Sequence, residues 1–216
     1  MKKICLMIVS WLLVITIGGC ARNVTPIVSA GDQIVVEVTL RGNIDVSANR
    51  YFLVLSADPN YKIPLPPPYQ LDDAPELIEP GTTPLIGSAE AYYTNFYSTW
   101  SGYVLADPIG YTLVKGPFTI GQSPTREVLS TLGNISTKVS FSFRLGRLFA
   151  TVPDQIYFDI IALPWANGLA KIPADHLPTS SNYILKYSGS YVVVDDTEDS
   201  SLDPSIDILK CRVDIQ

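Results

Sequence analysis

Apolar and polar residues alternate along several stretches of the chain. Apolar side chains occupy every second position across residues 34–40, and the same pattern returns across residues 139–145. A period of two predicts β-strands that turn one face toward a core and the other toward solvent. Short apolar runs between turn residues are typical of strands buried on both faces. The predicted strands span residues 34–40, 50–56, 100–106, 111–115, 139–145, 156–163, 187–194 and 206–215.

The segments between these strands are rich in Gly, Pro, Asp and Asn, which interrupt regular structure and form turns. A short helix is predicted where Ala89, Tyr92 and Phe96 fall at helical spacing, but long helical periodicity is absent from the sequence. We therefore predict an all-β fold, a single β-sandwich of about eight mainly antiparallel strands, with a flattened barrel as the alternative.

The two halves of the chain carry similar patterns in the same order. The matching segments are 34–40 with 139–145, 51–55 with 157–161, Lys-Ile-Pro at 62–64 with Lys-Ile-Pro at 171–173, 100–104 with 187–192, and Asp-Pro at 107–108 before Lys115 with Asp-Pro at 203–204 before Lys210. This order predicts an internal duplication of a four-strand unit, with halves at 33–120 and 137–216. Because four strands bury a core poorly alone, the halves would form one domain over residues 33–216. Chance similarity is the alternative, since β-strand sequences share few residue types.

The first half is lengthened by an insertion at about residues 66–98. A connection of this length is usually functional or disordered, and its aromatic residues argue against disorder. Tyr and Trp offer large, stiff, amphipathic surfaces that suit sugars or protein partners. The aromatic cluster therefore has two candidate roles, a binding face and a plug for the open end of the sandwich. Its members are Tyr92, Tyr93, Phe96, Tyr97, Trp100 and Tyr103.

The first twenty residues differ from the rest of the chain. Lys2 and Lys3 precede an apolar run over residues 4–17, and Gly18-Gly19-Cys20 follows it. A basic start, a short apolar core and small residues at the end form the layout of a secretory signal. The apolar run is shorter than the roughly 20 residues that a membrane-spanning helix needs. An uncleaved anchor that extends to Ala21 is the alternative.

The quartet Ile17-Gly18-Gly19-Cys20 resembles the lipobox of bacterial lipoprotein signal peptides, with Ile in place of the commoner Leu. The resemblance covers residues 1–20 and implies cleavage before Cys20, followed by lipidation with acyl chains such as palmitate. Several chains are needed because a single chain binds a bilayer only marginally. The resemblance also implies an extracytoplasmic, membrane-anchored protein. Ala21 stands where an Asp tends to hold Gram-negative lipoproteins at the inner membrane, which implies the outer membrane in such a host.

Cleavage changes the charge and the cysteine content of the chain. The full chain of 216 residues has a net charge of −6, and loss of a signal peptide at 1–19 removes two lysines and no acid, which gives −8. A lipidated tether at 20–32 would remain. A negatively charged chain is a poor match for the phosphate backbone, so we expect no nucleic-acid partner. Cys211 falls in phase with apolar neighbours, which predicts a buried free thiol.

Five carboxylates crowd a short stretch of the second half. Carboxylate oxygens are ligands that Ca²⁺ prefers, although the spacing departs from that of the EF-hand loop. A calcium site and a solvated loop between two strands are the two interpretations. The five residues are Asp195, Asp196, Glu198, Asp199 and Asp203.

Candidate catalytic groups are few. His176 is the one imidazole in the chain, in a predicted loop, and the sequence contains no Gly-x-Ser-x-Gly nucleophile motif and no glycine-rich phosphate loop. We assign no catalytic residue and expect no cofactor. A glycosidase pair of carboxylates stays open, because such a pair needs only spatial proximity.

Three classes of function are consistent with these features. The first is a membrane-anchored envelope lipoprotein with a non-enzymatic binding or structural role, whose partner is another envelope protein, a second copy of the chain or a glycan. The second is an extracytoplasmic glycan hydrolase with paired carboxylates. The third is a carbohydrate-binding module that uses the aromatic cluster as a platform. The tether, the β architecture and the scarcity of catalytic motifs favour the first class.

Overall fold

The computed structural model describes residues 31–67, 75–133, 136–179 and 181–216. These residues form eleven strands, one α-helix and a short 3-10 helix at Leu145–Arg147. The strands are β1 (Gln33–Leu40), β2 (Asn49–Ser56), β3 (Gly102–Asp107), β4 (Gly110–Lys115), β5 (Thr125–Ser130), β6 (Lys138–Arg144), β7 (Gln155–Pro164), β8 (Asp175–His176), β9 (Tyr183–Leu185), β10 (Tyr191–Asp195) and β11 (Ile208–Ile215). The helix α1 (Ala91–Tyr97) lies where a short helix is predicted.

The strands form two antiparallel sheets that pack face to face, so the predicted β-sandwich is confirmed. The small sheet has the order β10-β11-β1-β6, and the large sheet has the order β5-β4-β3-β2-β7-β8. The short strand β9 also pairs with β7, along a different part of its length from β8. One lateral seam of the sandwich therefore lies between β5 and β6, and the opposite seam lies between β9 and β10.

The core between the sheets follows from the alternation of apolar residues. Along β1, every second side chain is buried, and Val36 stands opposite Val213 on one side and Phe141 on the other. The inward side chains of the large sheet, such as Leu53 and Ile160, meet them across the sandwich. Each fully buried aliphatic or aromatic side chain stabilises the fold by about 1.5–3 kcal/mol relative to exposure.

The large sheet is buried on both faces, which explains its continuous apolar strands. In β2, Leu53 and Leu55 join the core between the sheets, whereas Phe52 and Val54 join a second core on the outer face. The insertion and α1 cover this outer face, so the molecule has three layers rather than two. The covering side chains are Leu77, Tyr93, Tyr97 and Trp100.

The strands that match in the predicted duplication are arranged in two different ways in the structure. The matched strands β1 and β6 are antiparallel neighbours in the small sheet, and β2 and β7 are antiparallel neighbours in the large sheet. The other matched strands separate, because β3 and β4 lie in the large sheet while β10 and β11 lie in the small one. The duplication itself stays a prediction.

Three strands of the structure, β5, β8 and β9, have no counterpart among the predicted strands. The edge strand β5 has mostly exposed side chains, so its sequence Thr-Arg-Glu-Val-Leu-Ser lacks a regular apolar face. The strands β8 and β9 contain two and three residues, which is too short for a periodic signal. Their positions depend on pairing with β4 or β7, which sequence periodicity does not report.

Arg41 holds the acidic loop that connects β10 to β11. Its Nε donates to the carboxylate of Asp207 at 2.5 Å, and its Nη2 donates to the carbonyl oxygens of Leu202 at 2.6 Å and Asp199 at 3.1 Å. Asp207 is 1% exposed, so its charge depends on Arg41 for compensation. The hydroxyl of Tyr51 adds a hydrogen bond to the carbonyl oxygen of Ser205 at 2.7 Å.

We expect Arg41→Ala to lower the free energy of unfolding by about 3 kcal/mol, because it leaves the carboxylate of Asp207 buried without its partner. Urea unfolding followed by tryptophan fluorescence measures the change. Arg212→Ala is the control, since Arg212 pairs with Asp214 at 2.7 Å on the exposed face of β11, and its loss should cost less than about 1 kcal/mol. Equal losses in the two variants would contradict the role of Arg41.

Candidate functional site

The aromatic cluster divides into buried and accessible members. Tyr93, Tyr97, Trp100 and Tyr103 are each at most 4% exposed and belong to the second core. Tyr92 and Phe96 pack against that core and keep part of their surface accessible. Four of the six residues are therefore placed where a ligand in solution does not reach them. The cluster lies over the outer face of the large sheet, not at the open end of the sandwich.

Two of the four buried aromatic residues donate hydrogen bonds within the fold, whereas the hydroxyls of Tyr93 and Tyr103 have no partner among the described residues. Trp100 Nε1 donates to the carbonyl oxygen of Lys62 at 2.7 Å, and the hydroxyl of Tyr97 donates to that of Ile78 at 2.5 Å. Burial raises the pKa of Tyr97 and Tyr103 well above the ordinary value. Packing of Tyr93 and Tyr97 in the second core, rather than these two hydrogen bonds, ties the insertion to the sheet. Deletion of residues 66–98 would therefore uncover the second core as well as remove a candidate binding surface.

Two of the five acidic residues form ion pairs with basic side chains. Asp195 lies 2.9 Å from the ammonium nitrogen of Lys210, and Glu198 lies 3.8 Å from Nε of Arg41. Within the described residues, no group of three or more His, Cys, Asp or Glu side chains is close enough to hold a metal ion. The loop therefore does not bring the five predicted calcium ligands together.

The remaining acids of the loop accept hydrogen bonds from their own segment. Asp199 accepts from the backbone N–H of Ser201 at 2.8 Å, and Asp203 accepts from that of Ser205 at 2.8 Å. The serine hydroxyls donate to the same carboxylates and hold the pKa values of Asp199 and Asp203 below the ordinary range. Asp196 accepts from the next backbone N–H along the chain. Each of these contacts joins residues one or two positions apart in the chain, which is typical of local turns.

The two cysteine predictions have different outcomes. Cys20, the predicted lipidation site, lies outside the described residues. Cys211 is a buried free thiol in β11, as predicted, and burial raises its pKa far above the ordinary value. A thiol that is both inaccessible and protonated reacts slowly, because the thiolate is the reactive form.

A cleft of about 560 Å³ opens at the seam between β5 and β6. Its volume lies within the roughly 300–1,000 Å³ typical of small-molecule sites. Apolar side chains of Ile44, Val46 and Leu132 line it together with polar groups of Glu37, Lys138 and Ser140. The mixture of apolar walls and a few polar groups is typical of binding sites.

Two contacts order the polar wall of the cleft. The ammonium group of Lys138 donates to the carboxylate of Glu37 at 2.7 Å, and the backbone N–H of Ser140 donates to the hydroxyl of Tyr111 at 3.2 Å. The second contact joins β6 to β4 across the seam between the sheets. Glu37 is the single carboxylate among the described residues that line this cleft, and it lies against a lysine, so these residues do not form the paired acids of a glycosidase.

The cleft and the start of the domain lie at different ends of β1. Gly31, which precedes β1, donates its N–H to the carbonyl oxygen of Lys186 at 2.8 Å. The cleft lies toward the other end of β1, where Ile44 donates its N–H to the carbonyl oxygen of Ser136 at 2.8 Å. The chain that precedes the sandwich therefore joins it away from the cleft.

His176 and two aspartates form a second polar group at the edge of β7. His176 is half-buried in β8 opposite Ile161 rather than in a surface loop, and its Nδ1 has no partner among the described residues. Asp175 accepts from the backbone N–H of Ile208 at 2.6 Å, which links β8 to β11. None of these residues lines the cleft.

Asp159 is the buried acid of this group. Its Oδ1 accepts from the backbone N–H groups of Ile160 at 2.6 Å and Leu177 at 3.2 Å, while its Oδ2 has no partner within the described part of the chain. Burial raises its pKa well above the ordinary value of 3.8. The sequence signal that marks this position is an aspartate inside the apolar run of β7.

The cleft residues are also missing from the sequence-based candidates. Ile44, Leu132 and Lys138 come from separate segments that meet only in the folded chain, and no local motif marks them. The sequence predicts the exposed face of β1 that carries Glu37, but not the loops that wall the cleft.

The fold defines an all-β sandwich protein with an aromatic outer layer. Comparisons of the chain with protein-family models, with curated proteins and with solved structures found no match. No helix within the described ranges is long and apolar enough to cross a membrane.

The raised pKa of Asp159 predicts a dependence of stability on pH. Because the folded state binds this proton more tightly than the unfolded state, stability is lost as pH rises from the ordinary value of 3.8 through the raised pKa. The difference in unfolding free energy between the wild type and Asp159→Asn should therefore fall as the pH rises above about 4. Urea unfolding at a series of pH values measures it. The exposed Asp154→Asn is the control, and a parallel slope in the two variants would contradict the prediction.

Proposed function

We propose that this protein is an envelope lipoprotein, anchored to a bacterial membrane through acylated Cys20, with a non-enzymatic binding role outside the cytoplasm. The observation that carries the binding role is the cleft between β5 and β6, which combines apolar walls with an ordered polar side. The anchor rests on the lipobox resemblance. In a Gram-negative host, the outer membrane is the expected location.

The place where the chain joins the sandwich supports an anchored arrangement. Residues 20–30 separate Cys20 from Gly31, and this segment reaches at most about 40 Å. Gly31 and Asp32 are fixed to the sandwich by backbone hydrogen bonds to the carbonyl oxygens of Lys186 and Gln216. An acylated Cys20 would therefore hold the domain close to the bilayer, with the cleft remote from the point of attachment.

The chemistry of the cleft indicates the kind of partner it suits. Its ammonium and carboxylate groups, on Lys138 and Glu37, neutralise each other, so the cleft has no excess charge to attract an ion. Its hydroxyls and apolar walls suit an uncharged, partly apolar group, such as a side-chain cluster of another envelope protein or a glycan. The protein would hold this partner near the membrane surface.

The two alternative functions receive less support. A glycan hydrolase needs two carboxylates facing one cleft, whereas Glu37 is the only carboxylate among the described residues that line this one. A sugar platform on the aromatic cluster would have to use Tyr92 and Phe96, because the other four members are buried.

The anchor is tested by acylation of Cys20. Cells that express the full chain should incorporate radioactive palmitate into the wild-type protein and not into Cys20→Ser, because the substitution removes the thiol that would carry the lipid. The measurement is autoradiography of the purified protein, with Cys211→Ser as the control that should keep the label. Label on Cys20→Ser, or none on the wild type, would disprove the anchor.

The binding role is tested by filling the cleft. In vivo crosslinking of the acylated protein, followed by mass spectrometry, should capture a partner, and Ser140→Trp should lower its yield several-fold because the indole occupies the cleft. Ser142→Trp is the matched control, since Ser142 lies two residues further along β6, is also exposed, and does not line the cleft. Equal capture by both variants would show that the cleft is not the binding site.

A further inference from the structure

We propose that the seam between β9 and β10 is a membrane-contacting surface that rests on the bilayer headgroups beside the lipid anchor. This inference rests on the proposed function, because it needs the anchor at Cys20 to bring the seam to the bilayer. It adds a defined orientation of the domain, with the cleft between β5 and β6 on the side away from the membrane.

The seam carries a concentration of exposed aromatic and apolar side chains. Four of them occur within nine residues of the chain and flank the edge of the sandwich, with Tyr183 and Leu185 on the outer face of the large sheet and Tyr191 on that of the small sheet. We name this set the seam ridge: Tyr183 (45% exposed), Leu185 (39%), Tyr187 (37%) and Tyr191 (65%). The strands that carry the ridge approach each other, with Cα atoms of β9 within 8 Å of those of β10. Tyr side chains favour membrane interfaces, because one end is apolar and the other forms hydrogen bonds with water.

The preceding chain joins the domain within the seam ridge itself. The N–H of Gly31 donates to the carbonyl oxygen of Lys186, the residue between Leu185 and Tyr187. A lipid on Cys20, eleven residues before Gly31, would therefore tether the sandwich to the bilayer at the ridge. Other exposed apolar residues, such as Ile109 in the turn between β3 and β4 and Val128 on β5, lie far from this point of attachment.

The charged groups around the ridge indicate how it would contact lipid. Each cation there has an acidic partner, with Lys186 at 2.6 Å from Asp154 and Arg212 at 2.7 Å from Asp214. The guanidinium of Arg212 also lies over the ring of Tyr191, at 5.4 Å from its centre. Because these charges balance, the ridge has no basic excess to attract anionic lipid. Contact would come from partial insertion of the aromatic and apolar side chains.

The test places a fluorescent probe on the ridge of the acylated full-length protein. Tyr191→Cys and Leu185→Cys each offer an exposed thiol for a polarity-sensitive dye, while Cys211 is buried and Cys20 is blocked by lipid. Val128→Cys is the matched control, because it is 56% exposed on β5 at the opposite seam. The labelled proteins are reconstituted into vesicles of a zwitterionic phospholipid that contain a nitroxide-labelled lipid as quencher.

We expect the dyes at positions 185 and 191 to be quenched several-fold more than the dye at position 128, with no change when anionic lipid or salt is added. Equal quenching at the three positions would overturn the inference. Efficient disulfide-linked dimers of the unlabelled Tyr191→Cys protein would also overturn it, since they would show that a second copy covers β10. Palmitate labelling of the same preparations separates the two proposals: acylated protein with equal quenching disproves the membrane-contacting surface alone, and absence of acylation disproves the anchor.

Discussion

The fold depends on covering both faces of the large sheet. Its central strands β2, β3 and β7 are apolar on each side, so the small sheet alone leaves Phe52, Val54 and their neighbours facing water. The insertion satisfies this constraint by laying α1 and its aromatic residues over the outer face. An aromatic cluster that resembles a binding platform in sequence is therefore mainly a structural layer, in which Tyr97 and Trp100 donate to backbone carbonyl groups.

The two lateral seams of the sandwich carry different surfaces. At one seam, loops beside β5 and β6 stand apart and leave the cleft, whose polar wall is ordered by Glu37 and Lys138. At the other seam, β9 lies close to β10 and carries the exposed seam ridge. This asymmetry gives the domain two distinct surfaces, which is what the proposed orientation on a membrane requires.

The two buried carboxylates of Asp207 and Asp159 have different environments. Asp207 is neutralised by Arg41, which also binds backbone carbonyl groups of the acidic loop and so converts a crowded set of acids into an ordered turn. Asp159 receives only backbone N–H groups, and burial raises its pKa. The difference arises because the loop between β10 and β11 lies next to the end of β1, which is followed by Arg41. The hydrogen-bond partners of Asp159 within the described residues include no basic side chain.

The sequence by itself determined the class of fold and the place of most strands. Alternation in β1 and β6, and apolar runs in β2 and β7, are local consequences of which faces are buried, so periodicity reports them directly. The burial of Cys211 was predictable for the same reason, because this residue alternates in phase with the buried apolar residues of β11. The lipobox resemblance is also a local pattern, and it supplies the prediction of an anchor at Cys20.

Tertiary structure alone decided which residues form surfaces. The same period-two pattern fits either sheet, so the sequence did not separate β3 and β4 from β10 and β11. The cleft and the seam ridge arise where segments distant in the chain meet, and the burial of Trp100 depends on a sheet face formed by other strands. Local composition records how apolar a residue is, but the pairing of strands determines what that residue contacts.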